Sequence, residues 1–204
     1  YNGNGLAVPR EGADRYAVMT TWRNIPYLAR RDGENIGYLV ADAAGTTLAE
    51  VYAVHTAALG DILCAWQKRV GAPVVFSLAP HRVEDIRLFS AVCESSSVSA
   101  PCHFRIRNFE RVTEAFLRLK NTFCPLPPGE LRLGIAGYGT VRITVDGGQC
   151  ACRPTDAPPE LTLDRLSATR YLFGPYPPVY TAPSPWPAGA WFPLPLSWDT
   201  LDRV

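Results

Sequence analysis

The side chains able to hold a phosphate or move a proton are few and scattered. Arg30-Arg31-Asp32-Gly33-Glu34-Asn35 comes close to R/Q-x-x-G-x-G/A, a loop that cradles a pyrophosphate on backbone N–H groups. Such a loop needs a strand before its glycines and a helix after them, so that helix-start amides face the phosphates. Here Asn35 stands at the last position and a strand pattern follows. The stretch with a strand before it and a helix after it is His55-Thr56-Ala57-Ala58-Leu59-Gly60-Asp61. It lacks the Arg or Gln and the second glycine, and Asp61 would repel a pyrophosphate. Gly134, Gly137 and Gly139 have a similar spacing, but a strand follows them too, so they read as a hairpin turn.

Metal and nucleophile chemistry find less. His103 beside Cys102, with Cys93 nearby, forms no C-x-x-C or H-x-x-x-H pair, and Cys150-Ala151-Cys152 is too close for an ordinary zinc finger. No metal is expected. His55 ends a strand pattern and His81 opens a helix pattern; neither has a neighbouring Ser, Cys or Asp of recognisable motif, and G-x-S-x-G is absent. Four of the six cysteines (Cys64, Cys102, Cys150, Cys152) sit in or beside apolar runs and are expected as buried free thiols.

Composition narrows the classes further. The 204 residues carry 20 basic and 19 acidic side chains, a net charge of +1, with the arginines scattered; a nucleic-acid partner is not expected. Only Lys68 and Lys120 are lysines. No apolar run approaches the ~18 residues of a membrane span, and no targeting segment is visible, so a cytoplasmic protein without a membrane partner is expected. An apolar fraction of 47% with 22 aromatics supports a sizeable core. The chain opens on Tyr1 rather than Met, and further sequence ahead of it is expected.

The elements that must position these residues follow from periodicity. Tyr16, Met19, Trp22, Ile25 and Leu28 recur every three residues, a helix-like stripe over 15–30 broken at Pro26. As an alternative, 27–30 could be a strand closed by the turn chemistry of 31–35. Residues 36–41 and 47–54 read as a hairpin about Gly45, 59–70 as an amphipathic helix stopped by Gly71, 74–78 as a buried strand and 81–92 as a second helix. The serine-rich stretch 94–100 marks a boundary between domains at 1–95 and 96–204. Beyond it, 102–107 alternates as a strand and 109–120 is an amphipathic helix. Residues 131–136, 140–145 and 149–153 form a meander, 161–163 a short strand, and Asp164 caps a helix ending at Phe173 before Gly174. Eight of the 19 prolines and three of the five tryptophans lie beyond Gly174, which predicts an extended tail packed down by its aromatics, Trp186, Trp191, Phe192 and Trp198. The fold class is α+β.

These units resemble a known family. Residues 15–92 are similar to a GNAT-type acetyltransferase domain without its cofactor loop. Residues 101–204 resemble the sterol-carrier-protein-2-like domain, on the alternating 102–107 strand, the 131–153 meander and Leu161-Thr162-Leu163-Asp164 through Leu172-Phe173-Gly174. The ending, with Trp191-Phe192-Pro193, Trp198-Asp199 and Asp202-Arg203-Val204, is similar to termini of the "enhanced intracellular survival" (Eis-type) N-acetyltransferases. That resemblance implies a degenerate GNAT-like mixed sheet followed by an α/β domain with a meander and packed tail. It implies acetyl transfer from acetyl-CoA to small-molecule amines, aminoglycosides among them in some members, and a homo-oligomer, a hexamer in the family. It also implies a missing N-terminal acetyltransferase domain, with no cofactor bound by this chain. The family's terminal carboxylate is its general base, a role that falls here on the α-carboxylate of Val204, where the family commonly ends in an aromatic. Trp22 is the candidate for the substrate channel, with a core aromatic as the alternative. Two other classes stay open: a stand-alone carrier of hydrophobic ligands in an apolar cavity bounded by Phe109 and Phe116, and a structural scaffold.

Overall fold

The computed structural model describes Gly12 and residues 14–79, 81–99 and 104–196. They form an α+β structure with two separate sheets, in two compact units that divide between Ser95 and Ser96.

The first unit opens with helix α1 (Asp14–Thr20) and a 3-10 turn (Thr21–Arg23), then an antiparallel sheet of β1 (Ile25–Arg31), β2 (Glu34–Ala41) and β3 (Leu48–Ala53) in that order. The helix stripe expected over 15–30 therefore stops at residue 20. The Thr20 hydroxyl bonds back to the Tyr16 carbonyl at 2.8 Å and the Thr21 hydroxyl to the Ala17 carbonyl at 3.0 Å, local bonds that compete with helix continuation. Pro26 cannot continue a helix but is tolerated on an edge strand, which β1 is. Asp32 and Gly33 take φ of 52° and 85°, the tight left-handed turn that joins β1 to β2.

After β3 the chain enters helix α2 (Thr56–Val70), which ends on Gly71 at φ 68°. Its buried Ala58, Leu59, Ile62, Leu63 and Trp66 cover one sheet face, made by Leu39, Ala41, Val51 and Ala53. Gly37 lets them meet closely: a Cβ there would lie 2.2 Å from the Tyr52 carbonyl oxygen and 2.7 Å from Ile62 Cδ1. The strand expected over 74–78 is reduced to one parallel bridge, Thr47 to Val75. There the Leu48 amide donates to Val75 O and the Val75 amide to Thr46 O, each at 2.8 Å. Pro73 brings no amide, Val75 is exposed, and this short run is held instead by side chains, Phe76 lying edge-on to Phe89 at 5.0 Å. Helix α3 (Val83–Ser90) is shorter than expected and begins beside the ion pair of Arg82 with buried Asp85 at 2.5 Å.

In the second unit, α4 (Phe109–Phe123) lies against a four-stranded sheet of β4 (Gly129–Ile135), β5 (Gly139–Asp146), β6 (Gln149–Pro154) and β7 (Leu161–Leu163), in the order β6-β5-β4-β7. The meander is antiparallel, and β7 joins β4 in parallel. Residues 104–107 form no strand; Ile106 packs on the core while Phe104 is exposed, and Cys102 and His103 lie outside the described residues. Helix α5 (Arg165–Phe173), a 3-10 turn (Pro178–Tyr180) and the single turn α6 (Ala188–Trp191) complete the unit. Leu133, Ile143, Cys152, Leu117, Tyr171, Leu172 and Trp191 make its core. Of the expected tail anchors, Trp191 and Phe192 are buried, Trp186 is 76% exposed, and Trp198 lies outside the described residues. Cys64, expected inside, is exposed on α2; Cys150 and Cys152 are buried. Position 64 falls on the face of α2 away from Leu63 and Trp66, which shows that an apolar neighbourhood in sequence does not fix the side of a helix.

Asp164 caps α5: Oδ1 accepts from the amides of Leu166 and Ser167 at 2.9 and 3.0 Å, and the Ser167 hydroxyl donates to Oδ2 at 2.6 Å. The hydroxyl bond first, with the amides, holds the carboxyl below its ordinary value of 3.8. A depressed folded-state pKa contributes stability above the ordinary value and loses it as pH falls through the folded one. Asp164→Ala should therefore lower the melting temperature by a few degrees at pH 7. That gap should close as pH falls towards about 2, which thermal melts across pH would measure.

Candidate functional site

The place where the first unit could take a ligand is the end of β3. A strand that enters a helix and returns in parallel leaves a crevice outside the strand's carboxyl end, with helix-start amides facing it. Here β3, α2 and the Val75 bridge make that arrangement. The Ala58 amide there is already engaged. His55 is extended, and its Nδ1 accepts from the Ala58 amide at 3.0 Å while its carbonyl accepts from the Leu59 amide at 3.1 Å. Asp61 adds a carboxylate to this first turn and a half and pairs with Arg31 at 2.6 Å. Arg31, which follows the first position of the near-motif at 30–35, faces a carboxylate. Arg30 bonds to Asn35 Oδ1 at 2.9 Å within its own hairpin. These residues do not fit an acetyl-CoA pyrophosphate.

Val204 lies outside the described residues. Trp22 is no core aromatic: it is 83% exposed, at φ 61°, with Arg23 beside it at φ 62°. The Gly134–Gly139 segment is the β4–β5 turn, as its spacing predicts, with Gly137 and Gly139 at positive φ. It presents Tyr138 to the start of α4, where the phenol donates to Glu110, accepts from the Phe109 amide at 3.0 Å and stacks under Arg165. Burial, then the bond to Glu110, raises the Tyr138 pKa above its usual 10.0.

Three polar groups escape sequence reasoning. Glu50 is nearly buried on β3 and accepts from the Tyr38 hydroxyl at 2.5 Å, on the face of the sheet away from α2. Glu114 on α4 accepts the Cys152 amide at 3.1 Å and pairs with Arg153 and Arg118; burial opposes ionisation, but these partners outweigh it and hold the carboxyl below its ordinary value. Lys120 is buried, and its ammonium donates to the carbonyls of Ala190, Trp191 and Pro193 at 3.2, 2.8 and 3.3 Å. Burial holds its pKa below the ordinary 10.5. Its signal was present: Phe109, Thr113, Leu117 and Lys120 share the inward stripe of α4. No group of three or more His, Cys, Asp or Glu among the described residues could hold a metal.

No protein-family model matches the chain, and no curated protein matches it. The groups above are therefore read on their chemistry alone.

Neither buried thiol is poised to react. Burial raises Cys150 above the ordinary 9.0 and pushes Cys152 up to about 12, so both stay protonated at neutral pH, and only a thiolate attacks. At pH 8 a thiol reagent should modify Cys64, Cys93 and Cys124 in the native protein and reach Cys150 and Cys152 only on unfolding. Peptide mass spectrometry would read the order, and early modification of Cys152 would contradict this account.

Proposed function

We propose that this chain is the C-terminal portion of an Eis-type N-acetyltransferase, a degenerate GNAT-like unit followed by a sterol-carrier-protein-2-like unit. The observation that carries the reading is the end of β3. A strand–helix–parallel return has the form of a phosphate site, yet His55 caps the helix start and Asp61 adds negative charge. An acetyltransferase unit relieved of its cofactor would look like this. Acetyl-CoA is then held by an acetyltransferase domain outside this chain, and this chain contributes to the amine pocket and to a homo-oligomer.

In this reading the α-carboxylate of Val204 takes the proton from the substrate ammonium, leaving its nitrogen lone pair free to attack. An α-carboxyl with an ordinary pKa of about 3.5 is a weak base, and loss of water around it strengthens it. A segment as firmly packed as 188–196, with Trp191, Phe192 and Leu194 buried, supports a role for the chain end that follows it. Trp22, exposed on its turn, is the substrate-facing aromatic of the proposal.

The carrier reading draws less support. Phe109 and Phe116, the proposed walls of its cavity, lie edge-on to Tyr138 at 5.1 Å and to Phe173 at 5.8 Å, within the packed core.

Isothermal titration of this chain with acetyl-CoA should show no binding, and micromolar affinity would sink the reading. Lipid copurifying with the chain, seen by mass spectrometry, would favour the carrier instead. In a protein carrying the cofactor domain ahead of this chain, removing Arg203 and Val204 should abolish acetyl transfer and leave the melting temperature unchanged.

A further inference from the structure

The segment 185–196 poses a problem of backbone chemistry. Pro185, Pro187, Pro193 and Pro195 bring carbonyls but no amides, so this stretch cannot satisfy itself as a strand. The one-turn helix α6 ends inside it, leaving its last carbonyls without following amides. Those carbonyls are buried beside Trp191, Phe192 and Leu194, away from water. A buried carbonyl left without a donor costs roughly 1–3 kcal/mol.

Lys120 meets that need at one point. An ammonium has three N–H donors, and three carbonyls receive them, those of Ala190, Trp191 and Pro193. Among the described residues the partners of this ammonium are carbonyls and not a carboxylate. A lone buried charge is expensive, and an apolar side chain would pack at this point of α4 more cheaply. What an apolar side chain cannot do is specify one path for a proline-rich chain. Two further bonds guide the same segment: the Trp191 indole donates to Pro127 O at 2.9 Å, and the Leu194 amide donates to Leu172 O at 2.8 Å.

We propose that Lys120 is a positioning residue whose ammonium fixes the path of residues 188–196. The inference goes beyond the acetyl-transfer reading and stands on the hydrogen bonds of the segment alone. Lys120 does not touch the reacting atoms of that reading. It acts through the three carbonyls. The neighbouring Asn121 holds the other side of the same helix end, accepting from the Leu126 amide at 2.9 Å and donating to Gly148 O at 3.0 Å, so the lysine is set on a fixed base.

Hydrogen exchange followed by mass spectrometry on the intact chain tests this, comparing wild type with Lys120→Met and Lys120→Arg. In Lys120→Met, amides of 188–196 should exchange roughly ten-fold faster or more, while those of β4 and β5 keep wild-type rates. Lys120→Arg, which retains several donors, should recover most of the protection. Wild-type exchange over 188–196 in Lys120→Met would overturn the proposal. So would Lys120→Arg exchanging as fast as Lys120→Met with the sheet intact, because then the donors would not matter. Should Lys120→Met fail to fold, Lys120→Gln, with two donors, serves the same comparison: faster exchange confined to 188–196 supports the proposal, and wild-type exchange overturns it. Acetyl-CoA binding by this chain would defeat the acetyl-transfer reading and leave these exchange results standing.

Discussion

A proline-rich backbone with fewer amides than carbonyls must borrow donors, and the second unit is arranged around that constraint. Its proline-rich end is buried only because α4 offers an ammonium at Lys120, β4 is preceded by a loop whose Pro127 carbonyl receives the Trp191 indole, and α5 ends at a free carbonyl on Leu172. Each donor or acceptor comes from a different element, so α4, α5 and the loop before β4 must all be in place before the segment can settle. The hydrophobic effect supplies the driving force through Trp191, Phe192 and Leu194, since burying each large apolar side chain is worth on the order of 2 kcal/mol. The polar bonds decide where those side chains go.

The first unit handles a helix terminus in the opposite way. Where a phosphate could have met free amides, the chain supplies its own acceptor in His55 and its own carboxylate in Asp61. The internal cap takes up the Ala58 amide, and the Asp61 carboxylate disfavours an anion beside it. The same residues that disqualify a cofactor explain why α2 begins cleanly at Thr56.

Local chemistry was the most legible part of the sequence. The Gly134–Gly139 turn, the Asp164 cap, the Gly71 stop and the alternation of β4 to β6 all depend on residues within a few positions of one another, and the structure has them where the pattern puts them. Features set by distant partners were harder to read. The run at 74–78 is apolar enough for a strand but forms only the Thr47–Val75 bridge. Residues 104–107 alternate correctly but pair with no strand of the sheet. Cys64 and Trp186 carry the right composition for burial and face solvent, because sequence gives hydrophobicity without giving the side on which the partner stands. Of the candidate site, the unsuitability of 55–61 for a pyrophosphate was legible, since it follows from Asp61 and the missing glycine. The role of Lys120 was not, because its partners lie some seventy positions away in sequence.

The turn at Trp22 and Arg23 has a consequence for recognition. Two successive side-chain-bearing residues in the left-handed region cost about 1–2 kcal/mol each, a cost met when the chain folds. The indole is therefore held out in water on a backbone whose torsions are already restricted. A molecule that settles on Trp22 has less disorder to remove than it would on a ring carried by a slack loop, and more of the contact energy is left to appear as affinity.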